Sequence, residues 1–399
     1  MDFTLRPDLA DLRDRVRVFM DTHVLPAEAA VVAEDARGAH GTLHDLQALA
    51  RQSGLWVPHL PVAIGGLGLG VMGMCVLFRE MGRSPVGARV FNCDAPDQGN
   101  MELLVRSASA AQRARWLLPL AEGRITSGFA MTEPAPGAGA DPTNLRTMAT
   151  RAADGASYRI DGHKWFTTGG GAAAFFIVLA RTSPDPRRGA TMFLVDRRSP
   201  GITHVRDVPT MGGALLAHRE AELRFDGVQV SVDDRLGEEG EGFTLAQARL
   251  VPARLTHCMR WLGLADRTLA LCRAYVTARR SFGKTLSEHQ LVQAMIARSA
   301  TAIHAGNLMT FHAAWLLEQG RESEARTFSS MAKTHVANLL CQTLDDAIQM
   351  HGALGYSEDL PFSTWYRHAR AARIADGPDE VHVGVIARDV LAERVALLG

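Results

Sequence analysis

Lysine is nearly missing from these 399 residues: Lys164, Lys284 and Lys333 stand alone among 43 basic side chains, which 43 acidic ones balance. The net charge of zero supplies no broad field to recruit nucleic acid or an anionic membrane. Cysteine is scarce too. Cys75, Cys93, Cys258, Cys272 and Cys341 are odd in number and form no CxxC pair, which speaks against a disulfide framework or structural zinc and fits a reducing compartment. The 15 histidines fall in no HExxH or other ligating spacing, so no metal is expected and they read as structural or surface residues. Long apolar runs are absent: the longest, around Ala172 to Ala180, is far short of the roughly 20 residues that span a bilayer. The opening Met1-Asp2-Phe3-Thr4-Leu5-Arg6-Pro7 is charged and proline-broken where a signal peptide would be apolar. A soluble, cytoplasmic protein is expected.

What is present has three textures. From Pro7 to about Arg124, Leu9, Leu12, Val16, Phe19 and Met20 recur at helical steps, as do Leu43, Leu46 and Leu49. Gly68, Gly70 and Gly73 spell GxGxxG. Pro58 and Pro61 stand where a nucleotide-binding fold would need a strand, so a plain turn is expected. From Ile125 to about Leu236, short runs rich in Val, Ile, Thr and Phe alternate with turn residues, and Asp161-Gly162 reads as a hairpin turn. Beyond Gly237 the helical period returns in long segments, one interrupted near Pro252 and the last reaching Leu398. Val292, Met295, Ile296, Ile303, Met309 and Leu316 form a stripe suited to a bundle or a subunit interface. The expected fold is α+β and multi-domain: an N-terminal all-α domain (1–124), a middle antiparallel β-barrel domain (125–236) and a C-terminal four-helix bundle (237–399).

Short motifs sit at the joints of this helix, strand, helix order. Ala130-Met131-Thr132-Glu133-Pro134 opens the β-section, and Lys164-Trp165-Phe166-Thr167-Thr168-Gly169 follows the Asp-Gly pair. Arg279-Arg280-Ser281-Phe282-Gly283-Lys284 falls between two long helices, and Gln349-Met350-His351-Gly352 ends another. Last comes Asp376-Gly377-Pro378-Asp379-Glu380-Val381-His382, an inter-helix turn able to point a carboxylate inward. Taken alone, such a turn more often holds an Asp that caps the next helix. Ser281 to Lys284 also spells SxxK, but no SDN or KTG partner accompanies it, so an acyl-serine mechanism is set aside.

Together these motifs resemble the acyl-CoA dehydrogenase family over essentially the whole chain. The Asp376 run, with Asn92 to Glu102 and His257-Cys258-Met259-Arg260, is similar to the branch in which Asp replaces the usual Glu as catalytic base. The resemblance implies FAD, an acyl-CoA substrate, an electron-transfer flavoprotein as acceptor, and a homotetramer or homodimer. It implies that Asp376 is the base, that Arg254 lies beside base and thioester, and that Gly377 meets the substrate. It further implies that Met131 and Thr132 contact one side of the flavin, that Phe166 covers a face, that Thr168 lies near N5 and that Thr167 also falls at a cofactor-binding position. Arg279, Ser281, Phe282, Gln290, Gln349, Gly352, Pro378 and Glu380 fall at dinucleotide positions, the Arg279 motif reaching a neighbouring subunit's FAD. Closing a dry cavity over Asp376 is expected to raise its pKa toward the working pH. One departure is the missing Ser before Asp141, which leaves pyrophosphate contact there to backbone N–H groups. Alternatives are a flavin oxidase of another carbon acid, such as a nitroalkane, and a non-catalytic flavin-binding relative.

Overall fold

The computed structural model describes residues 4–185, 188–211 and 219–396. The N-terminal part is helical: α1 (Pro7–Phe19), α2 (Leu25–Ala36), α3 (Gly41–Gln52), α4 (Val71–Met81), α5 (Gly87–Val90), α6 (Asp97–Ser107), α7 (Ala110–Gln112) and α8 (Leu118–Ala121). Leu9, Leu12, Val16, Phe19 and Met20 all turn inward, as do Leu43 and Leu46, whereas Leu49 stays exposed. Gly70 caps α4 and Gly73 lies inside it, so the GxGxxG pattern is a turn running into a helix, with no strand before it.

The middle part is an eight-stranded sheet of β1 (Ser127–Ala130), β2 (Met148–Arg151), β3 (Ser157–Thr168), β4 (Phe175–Arg181), β5 (Ala190–Asp196), β6 (Ile202–Val208), β7 (Glu220–Ser231) and β8 (Arg235–Leu236). The order is β6-β7-β3-β2-β4-β5-β8, with β1 parallel to β4 and most other pairs antiparallel. β4 is buried on both faces. Phe175, Ile177 and Leu179 pack toward the α6 and α8 side, while Phe176, Val178 and Ala180 pack with Tyr158, Phe193 and Phe225, as the two-residue strand period dictates. The Asp161-Gly162 hairpin is corrected here: β3 runs straight through it as a 12-residue strand, with a register shift against β7 at that point. The Asp161 carboxylate accepts from the Gly227 N–H of β7 at 2.7 Å, and a Cβ on Gly162 would lie 2.3 Å from the Thr147 hydroxyl. The Asp-Gly pair thus serves a bulge and a close approach.

The C-terminal part holds α9 (Gly242–Ala278), the small hairpin β9 (Arg280–Ser281) and β10 (Lys284–Thr285), α10 (Gln290–Glu318), α11 (Glu322–His351), α12 (Ala353–Tyr356), α13 (Phe362–Ala369) and α14 (Asp379–Leu391). α9 continues through Pro252 as one helix of 37 residues, and α14 ends before Leu398, which lies outside the described residues. Val16 and Phe78 share one core with Met259, Leu262, Val336 and Leu340, so the helical parts from both ends of the chain pack as one body beside the sheet.

Candidate functional site

Asp376 sits in the turn between the 3-10 segment Arg370–Arg373 and α14, at φ +54°, followed by Gly377 at φ +109°. A left-handed non-glycine residue is strained unless its surroundings hold it. Arg254 Nε donates to the Asp376 carbonyl at 3.0 Å, His382 Nε2 lies 3.3 Å from the same oxygen, and Lys333 Nζ donates to the Gly377 carbonyl at 2.7 Å. His382 is braced in turn by the Ser330 hydroxyl at 3.1 Å. Neither Asp caps α14, whose N-cap is Pro378. Asp379 is buried instead and accepts from Arg373 Nε at 2.7 Å and Asn338 Nδ2 at 3.0 Å, with Lys333 Nζ 3.6 Å away.

The Asp376 carboxylate faces His257 of α9, whose Nδ1 lies 2.9 Å from Oδ2, too oblique for a well-formed hydrogen bond. Burial alone would push this carboxyl up, but His257, then Arg249 and Arg254, hold it well below the usual carboxylate range. The expected upward shift is therefore reversed, because three nitrogen-bearing side chains surround the group. Arg249 is buried; its Nε donates to Asn100 Oδ1 at 3.0 Å and its guanidinium lies 4.2 Å over the Phe129 ring of β1. Burial also pushes Glu102 on α6 up to about 7, against the pull of Gln98 and Arg249. The site thus gathers α6, β1, α9 and the Asp376 turn, at the meeting of helical bodies and sheet.

On the sheet side, the Met131 carbonyl accepts from Lys164 Nζ at 2.9 Å and the Thr132 carbonyl from the Trp165 N–H at 3.1 Å. Lys164 is fully buried and paired with Glu133 at 2.9 Å. Glu133 also accepts N–H groups from Ala138 (3.1 Å), Arg146 (2.8 Å) and Thr147 (2.8 Å) and the Thr147 hydroxyl (2.6 Å). Burial pushes Glu133 up, but Lys164 and Thr147 hold it down to about 2, so the pair stays charged. Both carbonyls of this loop are thus engaged within the protein, as is the Glu133 N–H, which donates to the Ala138 carbonyl at 2.7 Å.

Thr168 is half-buried at the end of β3, and its hydroxyl donates to Glu220 at 2.8 Å. Its neighbour Thr167 has a buried hydroxyl without a partner among the described residues, two positions along β3 from the Thr132-bonded Trp165. Phe166 is 43% exposed at φ +49° and meets Trp165 edge-on at 5.0 Å. The half-buried Met131, Thr132, Trp165 and Thr168 with the exposed Phe166 offer polar groups and aromatic rings that fit the edge and face of an isoalloxazine. Arg279, Phe282, Gln290, Gln349 and Gly352 are exposed on the C-terminal helices and their hairpin, with Ser281 half-buried, and they are not gathered at Asp376. Pro378 is half-buried beside the base and Glu380 exposed.

Sequence reasoning passed over Arg249, His257, Lys333 and His382. His257 was within reach, since it lies three residues after Arg254 on a predicted helix and so on the same face. Lys333 and His382 reach main-chain carbonyls of the turn, contacts that no motif spells out. Among the described residues no His, Cys, Asp and Glu cluster could hold a metal, and no helix is long and apolar enough to cross a membrane.

Comparison with known proteins matches residues 6–124 to the acyl-CoA dehydrogenase N-terminal domain, 128–228 to its middle domain and 240–391 to its C-terminal domain. Probable acyl-CoA dehydrogenase FadE2 of Mycobacterium tuberculosis is 40% identical over 99% of this chain and 98% of its own length. Acyl-CoA dehydrogenase family member 11 of Homo sapiens is 36% identical over 96% of this chain, which spans 50% of that protein. A solved structure from Mycobacterium abscessus, assigned to the acyl-CoA dehydrogenases, shares 38% identity with a TM-score of 0.92 over 98% of this chain and all 100% of its own. Butyryl-CoA dehydrogenase from Megasphaera elsdenii shares 28% identity with a TM-score of 0.85 over 98% of this chain and 100% of its own. With the helical bodies, the sheet and the half-buried turn carboxylate arranged as described, the chain belongs to the acyl-CoA dehydrogenase family of FAD-dependent oxidoreductases.

Proposed function

We propose that the chain performs α,β-dehydrogenation of an acyl-CoA thioester, with Asp376 removing the α-proton. The observation that carries this reading is one half-buried carboxylate, fixed by main-chain contacts in a strained turn and facing Arg249, which lies over the Phe129 ring of β1. Bound FAD would supply the acceptor for the β-hydride. Met131 and Thr132 would meet one edge of its ring and Thr168 the other, with Trp165 and Phe166 as aromatic cover. Arg254 would act by holding the base, since its Nε is already engaged by the Asp376 carbonyl. The Gly377 carbonyl is taken by Lys333, so N–H groups of the turn would hold the thioester oxygen. Electrons would pass on to an electron-transfer flavoprotein.

Anaerobic addition of a panel of acyl-CoA thioesters should bleach the flavin of the holoenzyme. Asp376→Asn should keep FAD and slow bleaching by about a hundred- to ten-thousandfold, the usual worth of a general base. Full bleaching by that variant would refute the role.

One observation favours a second reading. A carboxylate held far below its usual range is a weak base and suits a more acidic carbon acid, such as a nitroalkane. Oxygen consumption with such a substrate, and no acceptor protein, would decide for an oxidase.

The remaining flavin-associated positions imply a second copy of the chain. Arg254 and Arg279 stand on and at the end of the same helix, separated by about 37 Å at about 1.5 Å per residue. Arg279, Ser281 and Phe282, with Gln290, Gln349 and Gly352, are therefore proposed to serve the FAD of a neighbouring subunit in a homodimer or homotetramer.

A further inference from the structure

Asp376 is gripped twice by one face of α9. Arg254 holds its main-chain carbonyl, and His257, almost one turn further on, reaches its carboxylate. The two carboxylate oxygens are not equivalent. Oδ2 is covered and faces His257 Nδ1 at 2.9 Å, and no other hydrogen-bonding protein group reaches it among the described residues. The side chain's 18% exposure thus belongs to its other atoms, leaving Oδ1 for a substrate. The imidazole is only 13% exposed and packs against the Trp261 ring at 5.6 Å between centroids.

A carboxylate so placed has a weak hold on a proton. The buried guanidinium groups of Arg249 and Arg254 help keep it charged. An imidazole ordinarily binds a proton far more tightly than a carboxylate does.

We propose that His257 is a further catalytic residue: it takes and holds the α-proton that Asp376 removes. The inference rests on the reading of Asp376 as base. The α-C–H bond breaks and its proton joins Asp376 Oδ1; the electron pair left behind forms the new carbon–carbon double bond, and bound FAD would supply the acceptor for the β-hydride that leaves. The protonated carboxyl turns about Cβ–Cγ, its O–H bond breaks, and an N–H bond forms at Nδ1 of a neutral imidazole whose Nε2 already carries a proton. Asp376 regains its charge beside an imidazolium. The substrate has then lost one proton and one hydride, and the protein holds the proton on His257. The oblique approach of Nδ1 suits a contact that aligns only when substrate closes the site.

The test isolates the proton from the hydride. The holoenzyme is mixed with 3,3-dimethylbutyryl-CoA deuterated at C2, which has no β-hydrogen to lose, and loss of the label to water is followed by mass spectrometry. Wild type should wash the label out. His257→Gln keeps a polar side chain toward Asp376 but cannot take a proton, and should slow washout at least tenfold with FAD content and thioester affinity unchanged. Washout at the wild-type rate in His257→Gln, or a loss matched by an equal loss of thioester affinity, would overturn the role of His257. No washout in wild type, or undiminished washout in Asp376→Asn, would instead sink the reading of Asp376 as base.

Discussion

Lys164 is one of three lysines in the chain, and it is fully buried against Glu133. Replacing it with Met would leave the Glu133 carboxylate buried without its countercharge and the Met131 carbonyl without its donor. Breaking such a pair from one side typically costs about 3–5 kcal/mol. Lys164→Met is therefore expected to unfold at a clearly lower temperature and to lose FAD on desalting, read from the ratio of flavin to protein absorbance. The acid side follows from Glu133. Its folded-state value of about 2 lies below the ordinary carboxylate value, so its contribution is complete above about pH 4.3 and is lost as pH falls toward 2. Glu133→Gln should flatten that acid limb in a series of melting temperatures against pH. These roles were only half legible beforehand. Thr-Glu-Pro marks the loop, but the Glu220 that bonds Thr168 is brought across by a strand pairing that no local motif spells. His257 was set aside with the other histidines because its partner lies over a hundred residues away.

Elements were read best where one face is apolar and the helix long. α1 and α3 follow from their leucines, and α9 to α11 from theirs, because a period of about 3.6 residues survives any tertiary arrangement. The Asp161-Gly162 bulge failed for the opposite reason: a turn and a bulge both call for Asp-Gly, and only the β7 partner distinguishes them. Helix crossings were not legible at all. α4 and α9 meet backbone to backbone through two glycines: a Cβ on Gly263 would lie 2.2 Å from the Arg79 carbonyl oxygen, and one on Gly82 would lie 2.3 Å from the Arg260 Cα. Neither obstacle is a flexible side chain, so the helices must part to admit a methyl group. Gly263→Ala should cost at least the 1–3 kcal/mol, roughly, of ordinary overpacking. The shift would also move His257 and Arg254, which lie on the same helix, so chemical unfolding and flavin bleaching should both suffer. Wild-type stability in the variant would show that the two helices can separate freely.

At the scale of the whole molecule, the question is where the exposed residues of the Arg279 hairpin act. Phe282 is 94% exposed at φ +51°, a strained backbone that presents an aromatic ring to solvent at the tip of β9 and β10. Leu291 nearby is 79% exposed, and Val383 and Leu391 on α14 are 53% and 84% exposed. Apolar side chains left open in this number are costly in a lone subunit and are explained if another copy covers them. Because α9 keeps Arg279 some tens of ångströms from the Asp376 turn of its own chain, FAD retention and subunit association should be one equilibrium. Arg279→Ala and Phe282→Asp should each weaken FAD binding although neither residue lies near Asp376. In wild type, dilution that splits the assembly, followed by light scattering, should release FAD over the same concentration range. FAD held at full occupancy by a demonstrated monomer would overturn the shared site and return these positions to a role in packing alone.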